Sequence, residues 1–137
     1  SRAGTGLVTT IDKKAALEEL DAYLYQSGLS EKQVILYGDI PAVSYLFDME
    51  PAISTTWADL DSYGIDVLEA ELVRLAGENK LEEAPVIIYG RAAVERLTDT
   101  ADGPKYEKLS RIMAFAQAQG YQQCFDNQEY LVLYHVY

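Results

Sequence analysis

Two short apolar runs constrain this chain more than any other feature: Val34-Ile35-Leu36-Tyr37-Gly38 and, later, Val86-Ile87-Ile88-Tyr89-Gly90. Each is rich in β-formers, is bounded by a terminal Gly, and lacks the apolar-polar alternation of a strand with one wet face. Such a run is expected to be a strand covered on both faces, as parallel sheets require. Each is also preceded by a helical pattern, so the pair predicts two parallel αβ units. Right-handed crossovers would then carry both Tyr-Gly ends to one carboxyl edge, where open α/β sheets usually bind ligands.

The flanking patterns fill in the rest. Thr9 or Thr10 is placed to cap a first helix with apolar Ile11, Leu17, Leu20 and Leu24, which Gly28 would stop. Asp39 and Pro41 suit the first turn of a short helix to Leu46, and Ala52-Ile53-Ser54 reads as a second brief strand. Val67, Leu68, Leu72 and Leu75 mark one face of the next helix, with Glu69 and Glu71 turned to solvent. Gly103-Pro104 opens a helix with Tyr106, Leu109, Ile112, Met113 and Ala116 on one stripe, and Gly120 closes it. Tyr121 to Phe125, the turn Asp126-Asn127-Gln128 and Tyr130 to Tyr137 form a hairpin. The expected fold class is α/β, a three-layer Rossmann-like sandwich whose mostly parallel sheet ends in a C-terminal antiparallel hairpin. Residues 1–8 read as a linker or boundary and 9–137 as a single domain, a size at which about two-thirds of the unfolded chain's surface is buried. Ser1 to Gly6 has neither an initiator Met nor an apolar core, and reads as a cut end.

Charge narrows the partners. A formal net charge of −11, with no cluster of Lys and Arg, opposes binding to a phosphate backbone, so nucleic acid is excluded as the expected partner. An anionic membrane surface is disfavoured for the same reason. No run approaches the ~20 apolar residues of a membrane-spanning helix. The single Cys124 cannot form an internal disulfide and reads as inert core in an apolar strand.

Candidate chemistry lies where the elements meet. A phosphate cradle converges several backbone N–H groups through multiple glycines, whereas Gly38 and Gly90 each stand alone. Asp39 would place negative charge where an anion should sit, so helix capping is its first reading and ligand contact its second. Arg91 is either a solvent-exposed cation or a ligand-facing one. In Thr55 to Gly64, residues Asp59, Asp61 and Gly64 match positions of a calcium loop, but Tyr63 occupies position five and Ala70 the closing position that should hold Glu. No metal site is therefore expected. The loop reads instead as packed by Trp57 and Tyr63, or as an aromatic grip on a sugar or partner. The only histidine, His135, lies in the last strand with no nucleophile beside it, and no acidic pair follows the first strand as a receiver-type phosphorylation site would need. No catalytic residue and no cofactor follow from these patterns. The candidate ligand or partner contacts are Tyr37, Asp39, Tyr45, Trp57, Asp59, Asp61, Tyr63 and Arg91.

The run Ile35-Leu36-Tyr37-Gly38-Asp39-Ile40-Pro41-Ala42-Val43-Ser44-Tyr45-Leu46, followed by Pro51-Ala52-Ile53-Ser54-Thr55-Thr56-Trp57 and Asp59-Leu60-Asp61-Ser62-Tyr63, resembles the soluble C-terminal region of bacterial polytopic membrane proteins of the GT-C glycosyltransferase type. The ending, a helix, Gly120-Tyr121, a strand, a turn and an aromatic strand, is similar as well, so the resemblance covers residues 7–137. It implies a non-catalytic accessory domain on the extracytoplasmic face of the bacterial cytoplasmic membrane. The parent would be a membrane-embedded enzyme moving sugar from a polyprenyl-phosphate donor in cell-envelope glycan assembly. It also implies that the catalytic acid lies in the membrane-embedded portion of the same polypeptide, which becomes the expected partner, with a glycan or lipid-linked sugar as the second. The alternatives are a free-standing α/β binding module for a small polar ligand, sugar or phosphate, and a protein-interaction domain using the Trp57 to Tyr63 loop.

Overall fold

The structure, a computed structural model, describes residues 5–78 and 83–135, with side chains from residue 13 onward. Helix α1 (Thr5–Ser27) buries Ala16, Leu20 and Leu24 along one stripe of i, i+4 spacing, and leaves Leu17 half-buried. Thr9 and Thr10 lie inside α1 and do not cap it. Gly28 ends the helix in the left-handed region, φ 78°, where a Cβ would be strained. A single 3₁₀ turn (Leu29–Glu31) leads to strand β1 (Val34–Tyr37). All four β1 residues are buried, as are all five of β2 (Val86–Gly90). Successive strand residues face opposite sides, so both faces of this pair are covered. Each fully buried Val, Ile or Leu contributes about 1.5–3 kcal/mol.

Helices α2 (Ala42–Leu46) and α3 (Ile65–Glu78) lie between the strands, α4 (Arg91–Thr100) follows β2 directly, and α5 (Pro104–Ala118) leads to the hairpin β3 (Tyr121–Asp126) and β4 (Tyr130–His135). Helix α3 buries Leu68 and Leu72 as its spacing predicts, but Val67 is exposed, outside the buried arc. On α5, Leu109, Ile112 and Ala116 are buried, whereas Met113 faces out and the unexpected inward residue is Lys108. The hairpin turn is organised by Asn127, whose Oδ1 accepts from Glu129 N and Tyr130 N at 3.0 and 2.9 Å. The end of the expected last strand, at residues 136–137, lies outside the described residues.

The sheet runs β1-β2-β4-β3. Strands β1 and β2 pair in parallel, Val34 with Val86 through Tyr37 with Tyr89, as two αβ units demand. Strand β4 is antiparallel to both β2 and β3, so the four-stranded α/β sheet is mixed where a mostly parallel one was expected. The cause is that the hairpin inserts its second strand, not its first, against β2. Cys124 occupies the irregularity between Gln123 and Phe125, half-buried, with Sγ 3.5 Å from Val132 O. The brief strand expected at Ala52 to Ser54 does not form. Only an isolated bridge joins Pro51 to Val34, flanked by Val34 N to Glu50 O and Ala52 N to Val34 O, both 2.9 Å. The Ser54 N–H turns instead to Glu71 Oε2 at 2.9 Å, which ends the pairing.

The two Tyr-Gly ends touch. A Cβ built on Gly90 would lie 2.1 Å from Gly38 O, and one on Gly38 would lie 2.7 Å from both Gly90 N and Gly90 O. Gly38 also has φ 100° and is followed by Asp39 at φ 62°, so two successive positive φ values turn the chain off the strand. The repeat therefore supplies two backbones that must approach without side chains between them. Gly90→Ala should lower stability by about 3 kcal/mol or more, a cost of overpacking against backbone. Gly77→Ala, at an exposed helical residue with open space around it and no positive φ, should leave stability unchanged or raise it by up to about 1 kcal/mol. Urea unfolding midpoints of the two variants check the contrast.

Candidate functional site

At the carboxyl edge, a loop from Trp57 to Gly64 is drawn onto the end of β1. Asp59, buried in this loop, accepts from Gly38 N through Oδ1 and Oδ2 at 3.2 and 3.1 Å. Its carboxylate satisfies the first N–H left free when the parallel ladder stops. From α5, the buried Lys108 ammonium donates to Ala58 O, to Leu60 O at 2.9 Å and to Tyr63 O at 3.0 Å. Three donors meet three carbonyls, which is the full capacity of an ammonium. Burial lowers the Lys108 pKa below the ordinary lysine value, and the negative charges of Asp59 and Asp61 oppose that shift. The other end of the loop is held from α3. Glu71 accepts from Ser54 N and Ser54 Oγ, each at 2.9 Å, and from Tyr63 Oη. Burial would raise the Glu71 pKa, but these donors together with Arg74 hold it below the ordinary value. Glu71, expected in solvent, is thus a structural acceptor. Glu69 does remain at the surface, 3.5 Å from Arg111.

The candidate residues sort by this geometry. Tyr37 is fully buried and donates Oη to Lys105 O at 2.7 Å, and burial followed by the charges of Asp59 and Asp61 raises its pKa. Tyr63 is buried on Glu71, and burial is again the main cause of its raised pKa. Asp39 is exposed and caps nothing: the residue before α2 is Pro41, with no side-chain cap. Its role is the positive-φ turn, which Asp tolerates better than most residues. Arg91 is engaged within the fold. It pairs with Glu95 at 3.1 Å and Asp126 at 3.3 Å and donates to Asn127 O at 3.1 Å, tying the start of α4 to the hairpin turn. Asp61 is exposed and lines an open cavity of about 440 Å³ with Tyr63, Glu107 and Lys108. Tyr45, at 87% relative exposure, and Trp57, at 38%, face outward with Leu46 and Leu60. The calcium-like spacing does not gather ligands, because Asp59 is turned to Gly38 and Glu71 to Ser54 and Tyr63.

A larger cavity, about 590 Å³, lies at the opposite, amino edge of β1 and β2. Gln33 and Pro85, which immediately precede the two strands, line it together with Phe115, Gln119, Tyr121 and His135. The His135 ring lies 4.6 Å from that of Tyr121, centroid to centroid, and Tyr121 Oη donates to Pro85 O at 2.6 Å. Burial lowers the His135 pKa, favouring the neutral ring. Neither Lys108 nor this cavity was anticipated. A lysine on an apolar stripe at helical spacing was the available signal for Lys108; the cavity leaves no local signature, since five separate segments enclose it.

Comparison with protein-family models, curated proteins and solved structures finds no match to the chain. What the residues can do therefore rests on their geometry. At the carboxyl edge Asp59, Lys108 and Glu71 fix the Trp57 to Gly64 loop through hydrogen bonds. Lys108→Met should cost about 2–4 kcal/mol by leaving three carbonyls unpaired in a buried place. Tyr89 provides a contrast, since its buried hydroxyl has no hydrogen-bond partner among the described residues. Tyr89→Phe should leave stability unchanged or raise it by about 1 kcal/mol. Denaturant titration of both variants reads the opposite signs.

Proposed function

We propose that the chain is a non-catalytic accessory domain of a membrane-embedded glycosyltransferase-like protein, acting on the extracytoplasmic face of a bacterial membrane in cell-envelope glycan assembly. The resemblance of residues 35–63 supplies the parent class. The observation that carries the domain's role is the division of labour at the carboxyl edge. Asp59, Lys108 and Glu71 are bonded within the protein, whereas Tyr45, Leu46, Trp57 and Leu60 offer apolar surface to a partner. An acid or base already holding backbone groups is poorly placed to move protons, while exposed aromatic residues are the usual anchors of an interface. The partner in this reading is the membrane-embedded portion of the same polypeptide, with a glycan or lipid-linked sugar at the contact.

A three-layer Rossmann-like arrangement belongs to the same reading. Burial of every residue of β1 and β2 supports it, as does the contact of α1 and α5 with different parts of the hairpin, Tyr23 stacking on Phe125 and Phe115 meeting Tyr121. No helix among the described residues is long and apolar enough to cross a membrane, so the spans would have to come from elsewhere in the parent.

The full reading frame tests the parent class. Several hydrophobic spans of about 20 residues upstream of Ser1 are expected, and fewer would overturn it. Within the parent, Tyr45→Ala should change the domain's stability by no more than ~0.5–1 kcal/mol, and Trp57→Ala, whose side chain is partly buried, by about 1–2 kcal/mol. The pair should nevertheless reduce glycan transfer in membranes. Unaltered transfer by the double variant would remove the interface role from this edge.

A further inference from the structure

We infer that the amino-edge cavity is a binding site for a neutral, hydroxyl-rich small molecule of monosaccharide size, distinct from the carboxyl-edge contact surface proposed above. Its volume, about 590 Å³, falls in the range of small-molecule sites, roughly 300–1,000 Å³. The lining combines two kinds of group. Phe115, Tyr121 and His135 bring aromatic and imidazole surface, with the Tyr121 ring 5.9 Å from Phe115 and 4.6 Å from His135. Gln33, Gln119 and Glu31 bring two amides and a carboxylate. An amide both donates and accepts, as a hydroxyl does, and a carboxylate accepts from one or two hydroxyls. Aromatic faces suit the apolar C–H face of a sugar ring.

Charge decides against the anionic alternatives. Among the described residues the lining carries Glu31, Glu78 and Glu83 against Lys32, and the whole chain is at −11, which disfavours a phosphate or nucleotide. Glu78 is already engaged by Arg74 at 3.3 Å, so a cationic ligand would compete with that pair for one of the carboxylates. The neutral imidazole favoured at His135 can both donate and accept, which again matches a hydroxyl. A neutral polyol can hydrogen-bond to the amides, the Glu31 carboxylate and the imidazole without bringing a like charge to the acidic rim.

The composition provides two internal reporters at opposite edges. His135 is the only histidine and lines the cavity, while Trp57 is the only tryptophan and sits on the carboxyl-edge loop. Neutral hexoses and N-acetylhexosamines, with hexose 1-phosphates as the anionic arm, should be titrated while the His135 imidazole proton resonances and Trp57 emission are followed together. A saturable shift at His135 with Trp57 emission unchanged is expected for at least one neutral sugar. The corresponding phosphate should bind at least about tenfold more weakly. Gln119→Ala, just after the C-terminal end of α5, should weaken binding about tenfold, as for the loss of a hydrogen bond or two. No saturable His135 shift with any neutral sugar would overturn the assignment, as would equal binding of the phosphate. A Trp57 response with His135 unmoved would also overturn it and would place the ligand at the carboxyl edge. Because the reporters are at separate edges, failure here is distinguishable from failure of the accessory-domain reading, which is tested by transfer in the parent.

Discussion

The closest constraint in this molecule is the contact between two backbones, Gly38 against Gly90, at the ends of adjacent parallel strands. A side chain at either position would push the strand ends apart. With both glycines in place, β1 can turn away through two positive-φ residues while β2 runs straight into α4. The turn leaves the Gly38 N–H without a ladder partner, and Asp59 supplies one from a loop 21 positions away. Parallel pairing, the bend after β1 and the position of the Trp57 to Gly64 loop are thus consequences of one steric allowance.

Lys108 extends that arrangement to α5. Burying an ammonium costs several kcal/mol unless its hydrogen-bonding capacity is met. Three backbone carbonyls within six residues of the same loop meet it, so α5 and the loop are held as one piece. Glu71 does the equivalent from α3 with a carboxylate, and the two opposite charges fix the two ends of one irregular segment. The result is a rigid platform from which Trp57 and Leu60 project. Asp59 and Lys108 are committed there to backbone groups, while Asp61 stays exposed beside them.

Much of the scaffold was legible along the chain. The four-residue apolar runs with their terminal Gly, the stops at Gly28 and Gly120, the opening at Gly103-Pro104 and the Asn127 turn are local features, decided by backbone preference and burial period. The errors have local causes too. Val67 and Met113 fit an apolar period but fall outside the arc that α3 and α5 bury. Ala52 to Ser54 has the composition of a strand, yet Pro51 lacks an N–H and the Ser54 N–H is taken by Glu71. The site was far less legible. Of the eight residues named from the sequence, Tyr37, Asp59 and Tyr63 prove to be internal bonding partners and Arg91 an inter-element tie, while Asp39 serves the backbone turn. Tyr45, Trp57 and Asp61 stay available at the surface.

The sequence by itself determined most of the elements and the parallel pairing of two αβ units, because each depends on neighbours in the chain or on the period of burial. Tertiary structure alone decided that β4 lies between β2 and β3, that Lys108 points inward, and that the larger cavity opens at the amino edge of the sheet. Those outcomes depend on partners far apart in the chain: Lys108 bonds Ala58 across 50 positions, and Gln33 and His135 come from opposite halves of the chain to line one cavity. A hydrogen-bonding group is spent or available according to what folding brings within about 3 Å of it, and that is a property of the folded chain.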